Sequence, residues 1–127
     1  MKRKILDICL NIAIRNLPNN TEPYCHYTFL VQRNSIVEWG KNRRGPPLTF
    51  LGYESHTKMH SEVDAYFKAK GIMIKNEPFE AVNIRLTKTG SIKNSCPCKC
   101  CLAFLKGLKC KRVWFTTDLE NFARMDF

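Results

Sequence analysis

An apolar run long enough to span a membrane is missing from this sequence. A transmembrane helix needs about 20 consecutive apolar residues, and the candidate at residues 5–14 is interrupted by Asp7 and Asn11. No small-residue cleavage site follows it, so the basic residues 2–4 in front of it do not make it a signal peptide. We interpret it as an amphipathic helix, and we expect a protein with no signal peptide and no membrane segment.

The sequence also lacks the pattern of a disulfide-rich secreted protein. Its seven cysteines are an odd number, and four of them lie within residues 96–101, where close spacing makes poor disulfide geometry. Metal binding in a reducing compartment is therefore favoured. We expect a cytoplasmic or other intracellular location.

Acidic residues are scarce. The chain has 11 Asp and Glu against 21 Lys and Arg, which gives a formal net charge of +10. Basic residues occur throughout the chain, and one dense group contains Lys41, Arg43 and Arg44. A scattered excess serves solubility, whereas a group close to a site attracts an anionic ligand, and charge alone leaves both interpretations open.

Length and composition are those of an ordinary globular protein. Hydrophobic residues make up 44% of the 127 residues and charged residues 25%. The length predicts one domain, spanning residues 1–127, with one substantial core.

Two of the crowded cysteines have the spacing of metal ligands. Cys98 and Cys101 are three residues apart, so both thiolates face one way from a single helical turn. His60 is the nearest well-placed third ligand. Three protein ligands leave one position open, which is the pattern of catalytic zinc. Glu62 lies two residues after His60. A carboxylate is a poor choice for a fourth zinc ligand here, but it is a good proton carrier next to a zinc site.

A closed structural zinc site is the alternative use of the same cysteines. Cys96, Cys98, Cys100 and Cys101 could form it together with His56 or His60. The position of Cys100 disfavours such a site, because on a helix its side chain points away from the face that Cys98 and Cys101 share. We interpret His56 as a loop or pocket-edge residue and His26 as a surface or edge histidine.

The hydrophobic patterns predict an α/β protein. Apolar spacing and breakers place helices at 2–17, 60–71 and 98–105, and strands at 27–31, 36–40, 81–86, 112–116 and 122–127, with a long loop at 41–59. Only four residues separate the last two strands, too few for a crossover helix, so these strands should form an antiparallel hairpin. This order predicts a three-layer α/β/α sandwich on a mixed sheet of about five strands.

Two motifs resemble the signature of a known family. His60-Ser61-Glu62 and Pro97-Cys98-Lys99-Cys100-Cys101 are similar to the H-x-E and P-C-x-x-C motifs of the cytidine deaminase superfamily. The resemblance extends over nearly the whole chain, since the order of elements also fits that fold. It implies one Zn²⁺ per chain, held by His60, Cys98 and Cys101, with Glu62 carrying the proton from the zinc-activated water to the base and to the departing ammonia.

The resemblance also implies substrate contacts. In the family, an Asn after the second strand contacts the sugar, and Asn42 stands there, although it is alternatively a simple turn residue. The backbone of Ser61 and of Cys96 and Pro97 would meet the base. Ser61 and Cys96 differ from the residues usual at their positions, which leaves base selectivity open.

Charge and aromatic character add three further candidates for substrate binding. Arg43 and Arg44 lie beside Asn42, where a guanidinium could bind a phosphate. Tyr53, on the long loop, is a core residue or stacks on a base.

The predicted final hairpin resembles the branch of the family that contains the free-nucleoside cytidine deaminases. The leading hypothesis is therefore zinc-dependent hydrolytic deamination of a cytosine-containing nucleoside or nucleotide. A cytosine deaminase acting on single-stranded DNA or RNA is the alternative that the basic charge favours. A non-catalytic, zinc-stabilised binding domain is a third, which Glu62 disfavours. Small family members often complete the pocket with a neighbouring subunit, so we expect a homodimer or homotetramer.

Overall fold

The computed structural model describes residues 1–44, 48–50, 53–55 and 58–127, with side chains described in 1–44 and 58–127. All helices and strands predicted from the sequence are present in it. In chain order the elements are α1 (Arg3–Asn16), a 3₁₀ turn (Leu17–Asn19), β1 (Cys25–Gln32), β2 (Ser35–Lys41), β3 (Arg43–Arg44), β4 (Leu48–Phe50), β5 (Tyr53–Ser55), β6 (Lys58–Met59), α2 (Ser61–Ala69), β7 (Phe79–Leu86), β8 (Ile92–Lys93), α3 (Lys99–Gly107), β9 (Cys110–Thr116) and β10 (Phe122–Asp126). Among these helices, none has both the length and the apolar character needed to cross a bilayer.

The main sheet is mixed, as predicted. Its strand order is β10-β9-β7-β1-β2, and β8 pairs with β7. The pair β7 and β9 is parallel, and the connection between them contains α3, because parallel neighbours need a crossover. The predicted antiparallel hairpin of β9 and β10 is confirmed. Within the described residues the sheet has six strands rather than about five, because the two-residue β8 is too short to leave a pattern in the sequence.

Helices cover both faces of the sheet, which confirms the three-layer prediction. Side chains alternate between the faces of a strand, so Val82 and Ile84 of β7 pack towards α1, whereas Ala81 packs towards α2 and α3. The α1 side contains Leu6, Cys9, Ala13, Tyr27 and Phe29, and the other side contains Val63, Ala65, Phe104, Leu105 and Val113.

The predicted loop at residues 41–59 contains short strands instead. Arg43 pairs with Met59 and Arg44 with Lys58, so that β3 and β6 form a small antiparallel ladder. Between them, β4 and β5 pair with each other. These strands have two or three residues each and do not join the main sheet, so they leave no period that a sequence pattern could show.

The end of β2 lies directly against the backbone of α2. A Cβ atom on Gly40 would be 2.3 Å from the backbone nitrogen of Ala65, so only glycine fits there. Next to it, the backbone N–H of Lys41 donates to Oδ2 of Asp64 at 3.0 Å. These contacts fix α2, and with it His60 and Glu62, relative to the sheet.

Candidate metal centre and active site

Three side chains from two helix starts form a compact group of metal-ligand atoms. Nδ1 of His60 lies 3.3 Å from Sγ of Cys101 and 3.8 Å from Sγ of Cys98. The ligand atoms of all three residues lie within 4.8 Å of one another. One imidazole nitrogen and two sulfurs are a donor set that zinc prefers, so the residues present fit the expected metal.

Local backbone geometry explains why these side chains are available. His60 is the N-cap of α2 and Cys98 the N-cap of α3, both with extended backbone and no side-chain capping hydrogen bond. Each can therefore point its side chain outward to the site. Cys101 lies in the first turn of α3 and is buried.

The alternative four-cysteine site is not assembled in the part of the chain that is described. The group of potential ligands there contains neither Cys96 nor Cys100. Both thiols are exposed. His56 lies outside the described residues.

The Cys101 thiol needs a cation nearby in order to ionise. Burial, and after it the negative charges of Glu62 and Cys98, raise the pKa of this thiol above its ordinary value. A bound divalent cation has the opposite effect and deprotonates a coordinating thiol. A metal held by this group would therefore favour the thiolate form of Cys101.

Glu62 is buried beside the ligand group, with 6% of its surface exposed. Its Oε2 accepts a hydrogen bond from Nδ2 of Asn83 at 2.9 Å, and Oγ of Ser61 lies 3.3 Å from its Oε1. The two oxygens of this carboxylate therefore have different neighbours, Asn83 at Oε2 and Ser61 at Oε1.

These groups open onto a cavity of about 250 Å³. Most of the site residues predicted from the sequence line it: Asn42, Arg43, His60, Ser61, Glu62, Cys96, Pro97 and Cys98. Cys101 lies behind the wall, in contact with His60. Arg44 is exposed on β3 and is not among the lining residues, and the side chain of Tyr53 lies outside the described ones.

Asn42 holds one wall of the cavity together. Its Oδ1 accepts from the backbone N–H of His26 at 2.9 Å, and its Nδ2 donates to the carbonyl of Tyr24 at 2.7 Å. The wall that it holds includes Glu22 and Tyr24, which both line the cavity. One of the two amide hydrogens of Asn42 is left for a ligand.

Arg43 is held at the cavity by a buried carboxylate. Its Nε donates to Oδ1 of Asp64 at 2.8 Å, and the Asp64 side chain is 1% exposed, whereas that of Arg43 is 48% exposed. Lys68 forms a second ion pair with Asp64 at 3.2 Å. A guanidinium has five donors, so the pair with Asp64 leaves others for a ligand.

Several residues at the site were not identified from the sequence. His26, interpreted above as a surface or edge histidine, is half-buried and lines the cavity, and burial lowers its pKa. Asn83 of β7 donates a hydrogen bond to Glu62, and Thr28 of β1 donates one to Asn83. The sequence did contain an indication for Asn83, because a polar side chain in a central strand with helices on both faces must find a buried partner.

Solved structures of one enzyme share this architecture. The dCMP deaminase of the cyanophage S-TIM5, in complex with dCMP and dUMP, matches with a TM-score of 0.60 and 19% sequence identity over 89% of this chain and 81% of that one. This chain has the cytidine deaminase-like fold. The apo form of the same enzyme matches this chain with a TM-score of 0.60 and 19% sequence identity, over 92% of this chain and 86% of that one. No protein-family model matches the sequence, and no curated protein does.

The branch within the deaminase-like fold stays a prediction. The antiparallel hairpin of β9 and β10 favoured the free-nucleoside branch in the sequence analysis. The solved neighbours are instead dCMP deaminases. At 19% identity the likeness establishes the fold alone.

Proposed function

We propose that the protein catalyses the zinc-dependent hydrolytic deamination of a cytosine-containing nucleoside or nucleotide. The reaction consumes water, replaces the exocyclic amine of cytosine by the carbonyl oxygen of uracil, and releases ammonia. The observation that carries the proposal is the convergence of His60, Cys98 and Cys101 next to the buried carboxylate of Glu62. The neighbouring dCMP deaminase, solved with dCMP and dUMP, supports the same class of substrate.

The ligand residues and Glu62 would have separate roles in this reaction. His60, Cys98 and Cys101 would hold the metal, which when bound supplies an activated water as nucleophile. Glu62 would accept a proton from that water and pass it first to the ring nitrogen of the base and then to the leaving ammonia. Oε1 of Glu62 is the suitable oxygen, because Oε2 is engaged by Asn83.

The backbone around the two motifs is complementary to cytosine. Ser61 is the first residue of α2, so its N–H has no intrahelical partner and can donate to the base carbonyl. The N–H of Cys96 already donates to Oδ1 of Asn94 at 2.9 Å, and Pro97 has none. This segment therefore offers carbonyl acceptors, which suit the exocyclic amine of the base.

Replacing Glu62 tests the proposed chemistry. Glu62→Gln keeps the shape of the side chain but cannot take up a proton, so we expect zinc to be retained and turnover of the best cytosine substrate to fall by about 10²–10⁴-fold. Metal analysis and ammonia release measure the two quantities. Glu120→Gln, on the exposed turn before β10, is the matched control. Persisting turnover in Glu62→Gln would remove Glu62 from its role.

The choice of substrates separates the proposal from its alternatives. Cytidine, deoxycytidine, their monophosphates and a cytosine-bearing single strand should be compared. Turnover of the oligonucleotide alone would favour polynucleotide deamination. The net charge of +10 is consistent with that alternative. Zinc binding without turnover of any of them would favour a non-catalytic zinc domain.

A further inference from the structure

Asn83 lies at the centre of a buried hydrogen-bond chain under the cavity. Its side-chain amide donates to Oε2 of Glu62 at 2.9 Å and to the backbone carbonyl of Ser95 at 3.3 Å. Its Oδ1 accepts from the hydroxyl of Thr28 at 2.7 Å. Asn83 is 4% exposed and Thr28 is fully buried, so water does not compete for these contacts.

The orientation of the Asn83 amide is determined by all of its partners. In the reverse orientation, Oδ1 would face two acceptors, the carboxylate of Glu62 and the carbonyl of Ser95. The observed orientation satisfies every contact, with both amide hydrogens donated and the oxygen accepting.

The hydroxyl groups of Thr28 and Ser61 have one hydrogen each, and this sets the direction of donation along the series of hydrogen bonds. Thr28 donates its hydrogen to Asn83, so Ser61 must be the donor in the 2.7 Å contact between the two hydroxyls. Ser61 then has no hydrogen left for Oε1 of Glu62, 3.3 Å away. Donation thus runs from Ser61 to Thr28, to Asn83 and to Oε2 of Glu62, so this series of hydrogen bonds ends on Oε2 and not on Oε1.

We infer that Asn83 is a positioning residue for Glu62, and that Thr28 fixes the orientation of the Asn83 amide. Asn83 holds Oε2 and so presents Oε1 as the oxygen that accepts and returns the proton. Its second hydrogen bond, to Ser95, ties the same amide to the segment that leads into Cys96, Pro97 and Cys98. The inference rests on the proposed deamination, in which Glu62 carries the proton.

Kinetics of four variants test the inference with the cytosine substrate that the parent protein turns over fastest. Asn83→Leu has a similar volume but no amide, and we expect kcat to fall by about 10²-fold, with KM within about threefold and zinc retained, because misplacing a catalytic group affects the chemical step. Thr28→Val, which keeps the shape and the β-branch, should lower kcat by about 10-fold. Thr28→Ser retains the hydroxyl and should match the parent.

Gln32→Met is the matched control. Gln32 is buried on the same strand as Thr28, and its amide donates to the backbone carbonyl of Ile74 at 3.0 Å, outside the cavity. The Gln32→Met variant should lower the stability of the protein and leave kcat unchanged. Parent-like kcat in Asn83→Leu or Thr28→Val would overturn the inference. So would a Thr28→Ser variant as impaired as Thr28→Val, because packing rather than the hydroxyl would then be responsible.

A spectroscopic measurement tests the contact without any turnover. In ¹⁵N-asparagine-labelled protein, the side-chain amide resonances of Asn83 are those lost in Asn83→Leu. Glu62→Ala should shift them and speed their hydrogen exchange, while those of Asn42, held by Tyr24 and His26, stay in place. Unmoved Asn83 resonances would overturn the inference, whereas an inactive parent protein with shifted resonances would overturn the proposed deamination and leave the contact established.

Discussion

We expect the side chain of Arg43 to distinguish a nucleotide from a nucleoside. It lines the cavity, and the buried Asp64 holds its Nε while other donors stay available. Arg44, its neighbour, is exposed outside the cavity lining. The two arginines, equivalent in sequence, therefore differ in what they can contact.

We expect Arg43→Ala to reduce kcat/KM for a cytosine monophosphate by about 10-fold or more, the effect of losing a charge-assisted hydrogen bond to phosphate at a half-exposed position. The nucleoside should be affected less than twofold, since the variant leaves Asp64 paired with Lys68. Arg44→Ala is the matched control and should leave both substrates unchanged. Equal losses with nucleoside and nucleotide would contradict phosphate binding by Arg43.

The candidate site residues were predicted from motifs, each of which is short and continuous in the sequence. Cys98 and Cys101 follow from the spacing of one helical turn, whereas His60 and Glu62 were joined to them by the resemblance of two motifs to a family signature. Asn83 could not be assigned a role in the same way, because its partner Glu62 is 21 residues away and meets it only when α2 packs on the sheet. Tertiary contacts of this kind are not encoded in a local pattern.

The contact between β2 and α2 positions the start of α2, where His60 lies. It brings the backbone of Ala65 so close to Gly40 that no side chain fits between them. Residues 58 and 59, just before α2, pair with Arg44 and Arg43 just after β2, so the two elements are also joined at their ends. The position of His60 at the start of α2 follows from both contacts.

Gly40→Ala should therefore destabilise the protein. The added Cβ meets backbone atoms that cannot rotate away, so we expect a loss of roughly 1–3 kcal/mol or more in the free energy of unfolding. Gly71→Ala, just after α2, is the matched control, since a Cβ there meets nothing within 4 Å. Urea denaturation measures both. Equal stability of the two variants would show that β2 and α2 can move apart at no cost.

The prediction of element order was more successful than the prediction of element ends. The helix α1 was predicted from an apolar period sustained over its 14 residues, β1 from its β-branched and aromatic residues, and β7 from the alternation of apolar and polar residues. The short strands β3 to β6 were not, because pairs of two or three residues are stabilised by their partners and have no period of their own.

For the molecule as a whole, the ligand group links parts of the chain that are far apart in sequence. His60 starts α2 and Cys98 starts α3, and the two helices lie on one face of the sheet with Tyr66 and Phe104 in edge-to-face contact at 5.7 Å. A metal held by all three ligands would join the first turns of both helices. Binding to the folded state only would then stabilise the entire fold.

Metal removal should accordingly lower the melting temperature. We expect one zinc per chain, and a loss of about 4 kcal/mol on chelation if free zinc had exceeded its dissociation constant 1,000-fold. Cys101→Ser should lose the metal and the response to chelator, whereas Cys100→Ser, changed at an exposed thiol outside the group, should behave as the parent does. Metal analysis and thermal unfolding measure both. A zinc-free protein whose melting temperature does not respond to added zinc would contradict the metal site.

The distribution of the seven thiols would allow the reactivity of the protein with thiol reagents to report whether a metal is bound. All seven are free; Cys96, Cys98 and Cys100 are exposed, and the other four are buried. Of the three exposed thiols, only Cys98 belongs to the ligand group. An alkylating reagent would therefore modify Cys96 and Cys100 in the loaded protein and Cys98 as well in the stripped one, so that the mass of the intact chain counts its metal.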